Sequence, residues 1–143
     1  EALSLGLGRI QRALHEAIPA KSIFISHVQS EADGQALEVY NYMGSHRCWL
    51  DVRMPDRGAR KMEVGVRQCK TFLCIQSPSY DDSKWCQKEL GWAKKYGKRI
   101  VYAHIAGHTP RMTGAEIKSI EIDCLSPERL DRSMTALSNA LWM

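Results

Sequence analysis

Three short, unbroken apolar runs separate stretches with helical spacing, and this alternation constrains the fold more than any other feature. The runs are Ile23-Phe24-Ile25-Ser26, Thr71-Phe72-Leu73-Cys74-Ile75 and Ile100-Val101-Tyr102-Ala103-His104-Ile105. A strand with one face in water alternates apolar and polar residues. A strand without that alternation has both faces covered, as in a parallel sheet flanked by helices. Cys48-Trp49-Leu50 supplies a shorter strand and Ile120-Glu121-Ile122 a weak fifth. Between the strands, the spacing predicts a helix over about 32–43, with Ala36, Tyr40 and Met43 inward, and a helical stripe through Met62, Val66 and Cys69. It also predicts a helix over about 83–96 and a closing helix after Pro127 through Leu130, Met134, Leu137 and Leu141. Gly44 and Gly97 stand where two of these helices should stop. Right-handed crossovers then give a doubly wound α/β domain, a five-stranded parallel sheet with helices on both faces. Upstream, Leu3, Leu7, Ile10, Leu14 and Ala17 predict an amphipathic helix over 1–20 that ends at Pro19, leaving 21–143 as the domain.

In such sheets, ligands bind beyond the carboxyl ends of the strands. Those ends are Ser26-His27, Asp51 onward, Gln76-Ser77 and His104-Ile105. The segment 51–58 contains Pro55, Asp56 and Gly58 and reads as a loop. The segment 107–114 reads as a loop or short helix.

The helix over 83–96 carries the most informative residue. Asp82 or Ser83 can cap its amino end. Trp85, Glu89, Trp92 and Tyr96 then fall on one stripe, with Cys86, Leu90 and Ala93 beside it, while Gln87, Gly91, Lys94, Lys95 and Lys98 take the opposite face. Glu89 thus stands on or near the inward side. A carboxylate there must be paired or must line a cleft, because burying it alone is costly. The plain alternative is a rim glutamate paired with Lys or Arg.

Several function classes are disfavoured. No run approaches the roughly 18 apolar residues of a membrane helix. The net charge of +4 is spread along the chain, which suits a solvated surface better than a nucleic-acid footprint. The five cysteines are odd in number, in largely apolar settings and without a Cys-x-x-Cys pair. They read as reduced thiols of a cytoplasmic protein. The histidines lack ligand spacing, so no metal is expected. Gly6-Leu7-Gly8 lacks both the preceding strand and the third glycine of a dinucleotide fingerprint. A phosphate-binding P-loop and a serine-hydrolase motif are missing. A receiver domain needs an aspartate ending the third strand, where Gln76-Ser77 stands. Beginning at Glu1 without a methionine, the chain is expected to be a piece of a longer protein fused to other domains.

Ser77-Pro78-Ser79-Tyr80, followed by Ser83-Lys84-Trp85-Cys86-Gln87-Lys88-Glu89-Leu90, resembles the third sequence box of TIR (Toll/interleukin-1 receptor) domains. Phe24-Ile25-Ser26-His27 resembles the first box. Trp49-Leu50-Asp51 with Pro55-Asp56-Arg57-Gly58 resembles the second box and its BB loop. The resemblance runs from about Ser22 to Leu141 and implies a flavodoxin-like sheet, in agreement with the periodicity. In some members the glutamate of the third box cleaves NAD⁺; in others the box serves assembly only. The Ser-x-x-Tyr element and the loop around Arg57-Gly58-Ala59 resemble plant-type and bacterial members more than receptor scaffolds. Val28 to Gly34 lacks the arginine-rich plant pattern.

The resemblance therefore implies an NAD⁺ glycohydrolase of an immune or cell-death signalling domain. It would release nicotinamide and ADP-ribose or a cyclic isomer, with Glu89 catalytic. Ser26, His27, Trp49, Asp51, Ser77, Tyr80, Trp85 and Cys86 are the expected substrate-binding residues, and the aromatics among them could stack on flat rings. NAD⁺ would be substrate, with no cofactor. Pro55, Asp56, Arg57 and Gly58 are expected to mediate homotypic self-association and to gate the cleft. The alternative is a non-enzymatic scaffold acting through homotypic contacts.

Overall fold

The computed structural model describes residues 22–50, 59–110 and 118–142. The helix expected over 1–20 and the loop 51–58 lie outside the described residues, as does the later part of the 107–114 segment. The described elements are, in order, β1 (Ile23–Ser26), α1 (Gln29–Met43), a 3₁₀ turn (Ser45–Arg47), β2 (Cys48–Leu50), α2 (Ala59–Gln68), β3 (Thr71–Gln76), α3 (Lys84–Lys95), β4 (Arg99–Ile105), β5 (Ser119–Ile122) and α4 (Pro127–Leu141). All strand pairs are parallel, and the sheet order is β2-β1-β3-β4-β5.

The unbroken apolar runs are the strands covered on both faces. Every residue of β1 and β3 is buried. Successive side chains of a strand point to opposite faces, and β1 feeds two cores accordingly. Ile23 and Ile25 join Ala36 and Val39 of α1 and Met134 and Leu137 of α4. Phe24 joins Phe72 and Cys74 of β3, Met62 and Val66 of α2, and Cys86 and Ala93 of α3. The second core is built on a stack: Phe24 lies 5.5 Å from Phe72 at 6° and 6.3 Å from Trp49 at 15°.

Two boundaries and one inward position differ from the sequence reading. α1 begins at Gln29 because a separate first turn precedes a non-helical Ala32 (φ −133°). Val39, and not Tyr40, fills the core beneath it, with Tyr40 half-buried at its margin. Cys69 lies just past the end of α2, buried, with its thiol donating to the Val66 carbonyl at 3.0 Å. All five cysteines are free thiols, and Cys124 alone is exposed. α3 stops where expected, since Gly97 has a φ of +63°, a left-handed conformation that glycine adopts without Cβ strain.

Gly65 of α2 is required for a different reason. A Cβ there would sit 2.9 Å from two indole carbons of Trp49 and 3.2 Å from Phe24. Gly65→Ala is expected to destabilise the chain by about 1–3 kcal/mol through overpacking, despite the helix propensity gained. A lower urea midpoint at an unchanged slope is the measurement; an unchanged or higher midpoint would mean that the half-buried indole yields freely.

Candidate active site

The sheet order changes direction between β1 and β3. From β1 the chain leaves over one face through α1; from β3 it leaves over the other through α3. The two loops part at the carboxyl ends of these strands and open a crevice, the usual ligand position in such sheets.

Ser26, the last residue of β1, donates from Oγ to Glu89 Oε1 at 2.8 Å. The same Oγ lies 2.8 Å from the Tyr80 hydroxyl. Ser26 has one proton, and it goes to the carboxylate, so Tyr80 donates to Ser26. Behind Tyr80 lies the Cys74 thiol, pushed up to about 12 by burial and in hydrogen-bond contact with the phenol. Gln76 Nε2 in turn contacts Cys74 Sγ at 3.1 Å. Burial likewise raises the Tyr80 phenol well above its ordinary range. Thiol and phenol both keep their protons at neutral pH, and Cys74, Tyr80 and Ser26 form one hydrogen-bonded chain behind Glu89.

Helix α3 positions the carboxylate. Ser83 caps it by accepting from the Cys86 backbone N–H at 3.2 Å, which fixes the phase of the first turn. Cys86, Glu89 and Ala93 then face inward, and Glu89 is 3% exposed. This corrects the stripe read from the sequence. Its axis runs through Cys86 and Glu89, and Trp85, Trp92 and Tyr96 form a half-buried flank. On that flank Trp85 and Trp92 meet edge to face at 6.5 Å, with Lys88 Nζ 5.9 Å from each ring. The tyrosine hydroxyl of Tyr96 donates to Glu63 at 2.6 Å and ties α3 to α2.

An open cleft of about 430 Å³ lies beside this arrangement. It is lined by His27, Val28, Gln29 and Ser30 from the start of α1, and by Ser83, Trp85 and Cys86 from the start of α3. The amino end of α3 and the short first turn of α1 thus border one cleft, and the α3 end favours anionic groups. Glu89 does not line it. The glutamate follows Cys86 by one turn on the same face, just deeper in the fold.

The expected substrate-binding residues divide accordingly. His27, Trp85 and Cys86 border the cleft. The His27 ring is almost wholly buried, with Nε2 3.3 Å from Asp33 Oδ1. Ser26 is behind the cleft, on Glu89. Tyr80 is 0% exposed, so its ring offers no face for stacking, and its hydroxyl bears on Ser26 instead. Trp49 is spent on the core: it stacks on Phe24, packs over Gly65, and directs Nε1 at Met62 Sδ at 3.4 Å. Ser77 is buried and donates to Glu31. Asp51, Pro55, Asp56, Arg57 and Gly58 lie outside the described residues.

Glu31 is the residue that the sequence did not single out. Its carboxylate accepts from Ser77 Oγ at 2.7 Å, from the Ser79 backbone N–H at 2.8 Å and from Ser79 Oγ at 2.8 Å. These bonds, that from Ser77 foremost, hold its carboxyl below the ordinary range. The only advance signal was an acid in the first turn of a helix opposite a Ser-x-Ser pair. Among the described residues, no group of three His, Cys, Asp or Glu could hold a metal, and no helix is long and apolar enough to cross a membrane.

The fold has solved relatives. The TIR domain of the Toll-related receptor TRR-2 from the lower metazoan Hydra magnipapillata is similar at a TM-score of 0.62 and 10% identity, over 86% of this chain and 99% of that one. The CMP N-glycosidase BcmB of Clostridium botulinum is similar at a TM-score of 0.53 and 13% identity, over 82% of this chain and 98% of that one. At these identities the likeness speaks to fold. No curated protein matches the sequence. A family model described as "TIR domain" matches residues 23–133, most of the chain, and with the fold and the sheet order in agreement, the chain belongs to the TIR domain family.

Proposed function

We propose that this TIR domain is an NAD⁺ glycohydrolase that cleaves the bond between nicotinamide and ribose, with Glu89 as the catalytic carboxylate. The observation that carries the reading is a glutamate 3% exposed on the inward face of α3, held by Ser26 at the point where the sheet changes direction. A glutamate serving only solubility belongs with Lys94 and Lys95 on the outer face. Its burial speaks against the plain alternative of a rim glutamate.

The chemistry suits this position. Nicotinamide leaves as a neutral base from a pyridinium, the C1′–N bond breaks, and the ribose gains oxocarbenium character. A carboxylate beside the ribose accepts from its hydroxyls and offsets the developing charge, as in glycoside cleavage. Water then adds at C1′ and loses a proton, giving ADP-ribose; attack by an internal nucleophile gives a cyclic isomer instead. In this reading Glu89 exchanges its bond from Ser26 for one from the ribose, one turn in from Cys86. The amino end of α3 at the cleft suits the diphosphate, and Trp85 suits a flat ring. An N-glycosidase on the same fold, the CMP-cleaving BcmB, supports bond cleavage of this kind. The Ser-x-x-Tyr element supports a kinship with plant-type and bacterial members.

Homotypic association belongs to the same proposal. Incubating the purified chain with NAD⁺ across a range of protein concentrations should release nicotinamide at a rate that rises more than linearly. Arg57→Glu and Pro55→Gly should lower assembly and release together. A parallel arm with CMP tests the base: cytosine release without nicotinamide release would move the substrate to nucleoside monophosphates. A folded chain that cleaves neither substrate at high concentration defeats the enzymatic reading in favour of a scaffold. Strictly linear release, untouched by Arg57→Glu, defeats the requirement for assembly.

A further inference from the structure

Pro78 is flanked by two serines that both bond to one carboxylate on another element. Glu31 Oε1 takes the Ser77 hydroxyl and the Ser79 backbone N–H, and Oε2 takes the Ser79 hydroxyl. Three bonds to a single side chain tie the first turn of α1 to the loop after β3. They converge on the turn immediately before Tyr80. Within that turn Tyr80 N–H donates to Ser77 O at 3.1 Å, and Gln87 Nε2 donates to Tyr80 O at 3.0 Å. The Tyr80 backbone is therefore held from one side by the turn that Glu31 grips and from the other by α3. Its hydroxyl reaches 2.8 Å from Ser26 Oγ, which holds Glu89 at 2.8 Å. The break of α1 at Ala32 follows Glu31 directly. It separates the first turn, with its outward-reaching carboxylate, from the helix that packs on the core.

We propose that Glu31 is a positioning residue: through the Ser77–Ser79 turn it sets Tyr80, and through Tyr80 and Ser26 it sets the orientation of Glu89. The proposal rests on the reading of Glu89 as the catalytic carboxylate. Glu31 touches neither Glu89 nor, in this account, the substrate. Its effect passes through a chain whose middle link can be removed separately.

The test is a double-mutant cycle between Glu31→Ala and Tyr80→Phe, read in two ways. In steady-state nicotinamide release, Glu31→Ala should lower kcat about 10- to 100-fold, the scale of a small misplacement of a reacting group, with KM changed less than about two-fold. In the Tyr80→Phe background the same change should cost less than about three-fold, because the link it works through is gone. The Ser77→Ala, Ser79→Ala double variant, which weakens the clamp from the other side, should reproduce the kcat loss. The second readout needs no turnover: the ¹³C carboxyl resonance of Glu89 should move on Glu31→Ala and stay put when that change is made on Tyr80→Phe. Equal losses of kcat in both backgrounds, a loss confined to KM, or an unmoved Glu89 resonance would each overturn the positioning role and leave Glu31 a loop staple. If the wild-type chain releases no nicotinamide, the NAD⁺ reading falls, and the resonance arm still decides whether Glu31 governs Glu89.

Discussion

Replacing Glu89 by glutamine is expected to reduce nicotinamide release by about 10²- to 10³-fold while leaving the fold intact, since loss of one well-placed group facing developing charge costs on that order. The substitution keeps the volume of a side chain that is 3% exposed. It also keeps an oxygen to accept from Ser26, so the hydrogen-bonded chain through Tyr80 persists. The negative charge is lost, and the second acceptor oxygen becomes an NH₂ donor. A neutral amide is easier to bury than a carboxylate, so the melting temperature should hold or rise. The loss should fall on kcat and on kcat/KM alike, because the charge matters most as the ribose becomes cationic. A folded Glu89→Gln chain with unchanged turnover would remove Glu89 from the chemistry and make it a buried structural acid. If turnover falls and stability falls with it, Glu89 also holds the domain together, and the chemical share has to be read from the temperature-matched rates.

The sheet was legible in the sequence because strands covered on both faces leave unbroken apolar runs. β1 and β3 are such strands, and both match the apolar runs closely; β3 runs one residue further, to Gln76. α3 was legible for a different reason: a serine cap and a terminal glycine bracket a periodic segment, and both devices are present. Its phase was less legible. Tryptophans weigh heavily in any apolar stripe, yet an indole can serve from a half-buried flank, and the narrow inward line belongs to the small Cys86 and Ala93 and to Glu89. Two aromatics were hard to place by the same logic. Trp49 and Tyr80 are large and lie near strand ends, but the core claims the first and the Ser26 hydroxyl claims the second. The Glu31 clamp left almost no trace, because it joins positions 46 and 48 residues apart, and nothing in local periodicity reports such pairs. The hydrogen-bonded chain Cys74–Tyr80–Ser26–Glu89 escaped for the same reason. It becomes apparent only when protons are counted on atoms already brought together.

Phe24→Ala is expected to be the most damaging single substitution to stability, at about 3–5 kcal/mol, the usual cost of truncating a buried phenylalanine. Phe24 is 0% exposed and is the middle member of the Trp49–Phe24–Phe72 stack, so its removal opens a void with an aromatic wall on each side. Neither neighbour can close that void easily. Trp49 is anchored by Met62 and crowds Gly65, and Phe72 is fixed in β3 between β1 and β4. With domains of this size stable by about 5–15 kcal/mol in total, the loss is a large share. It should appear as a lower denaturant midpoint at an unchanged slope. Phe24→Leu refills much of the volume and should cost less than about half as much. The position also couples stability to the site. Phe24 is two residues before Ser26 on the same face of β1, so a slackened stack loosens the strand end that holds Glu89. Partial loss of nicotinamide release in Phe24→Leu, recovered at lower temperature as the folded fraction returns, is the expected pattern. A loss that persists at a temperature where the variant is fully folded would mean that the stack does more than stabilise: it would set the height at which β1 presents Ser26 to the carboxylate.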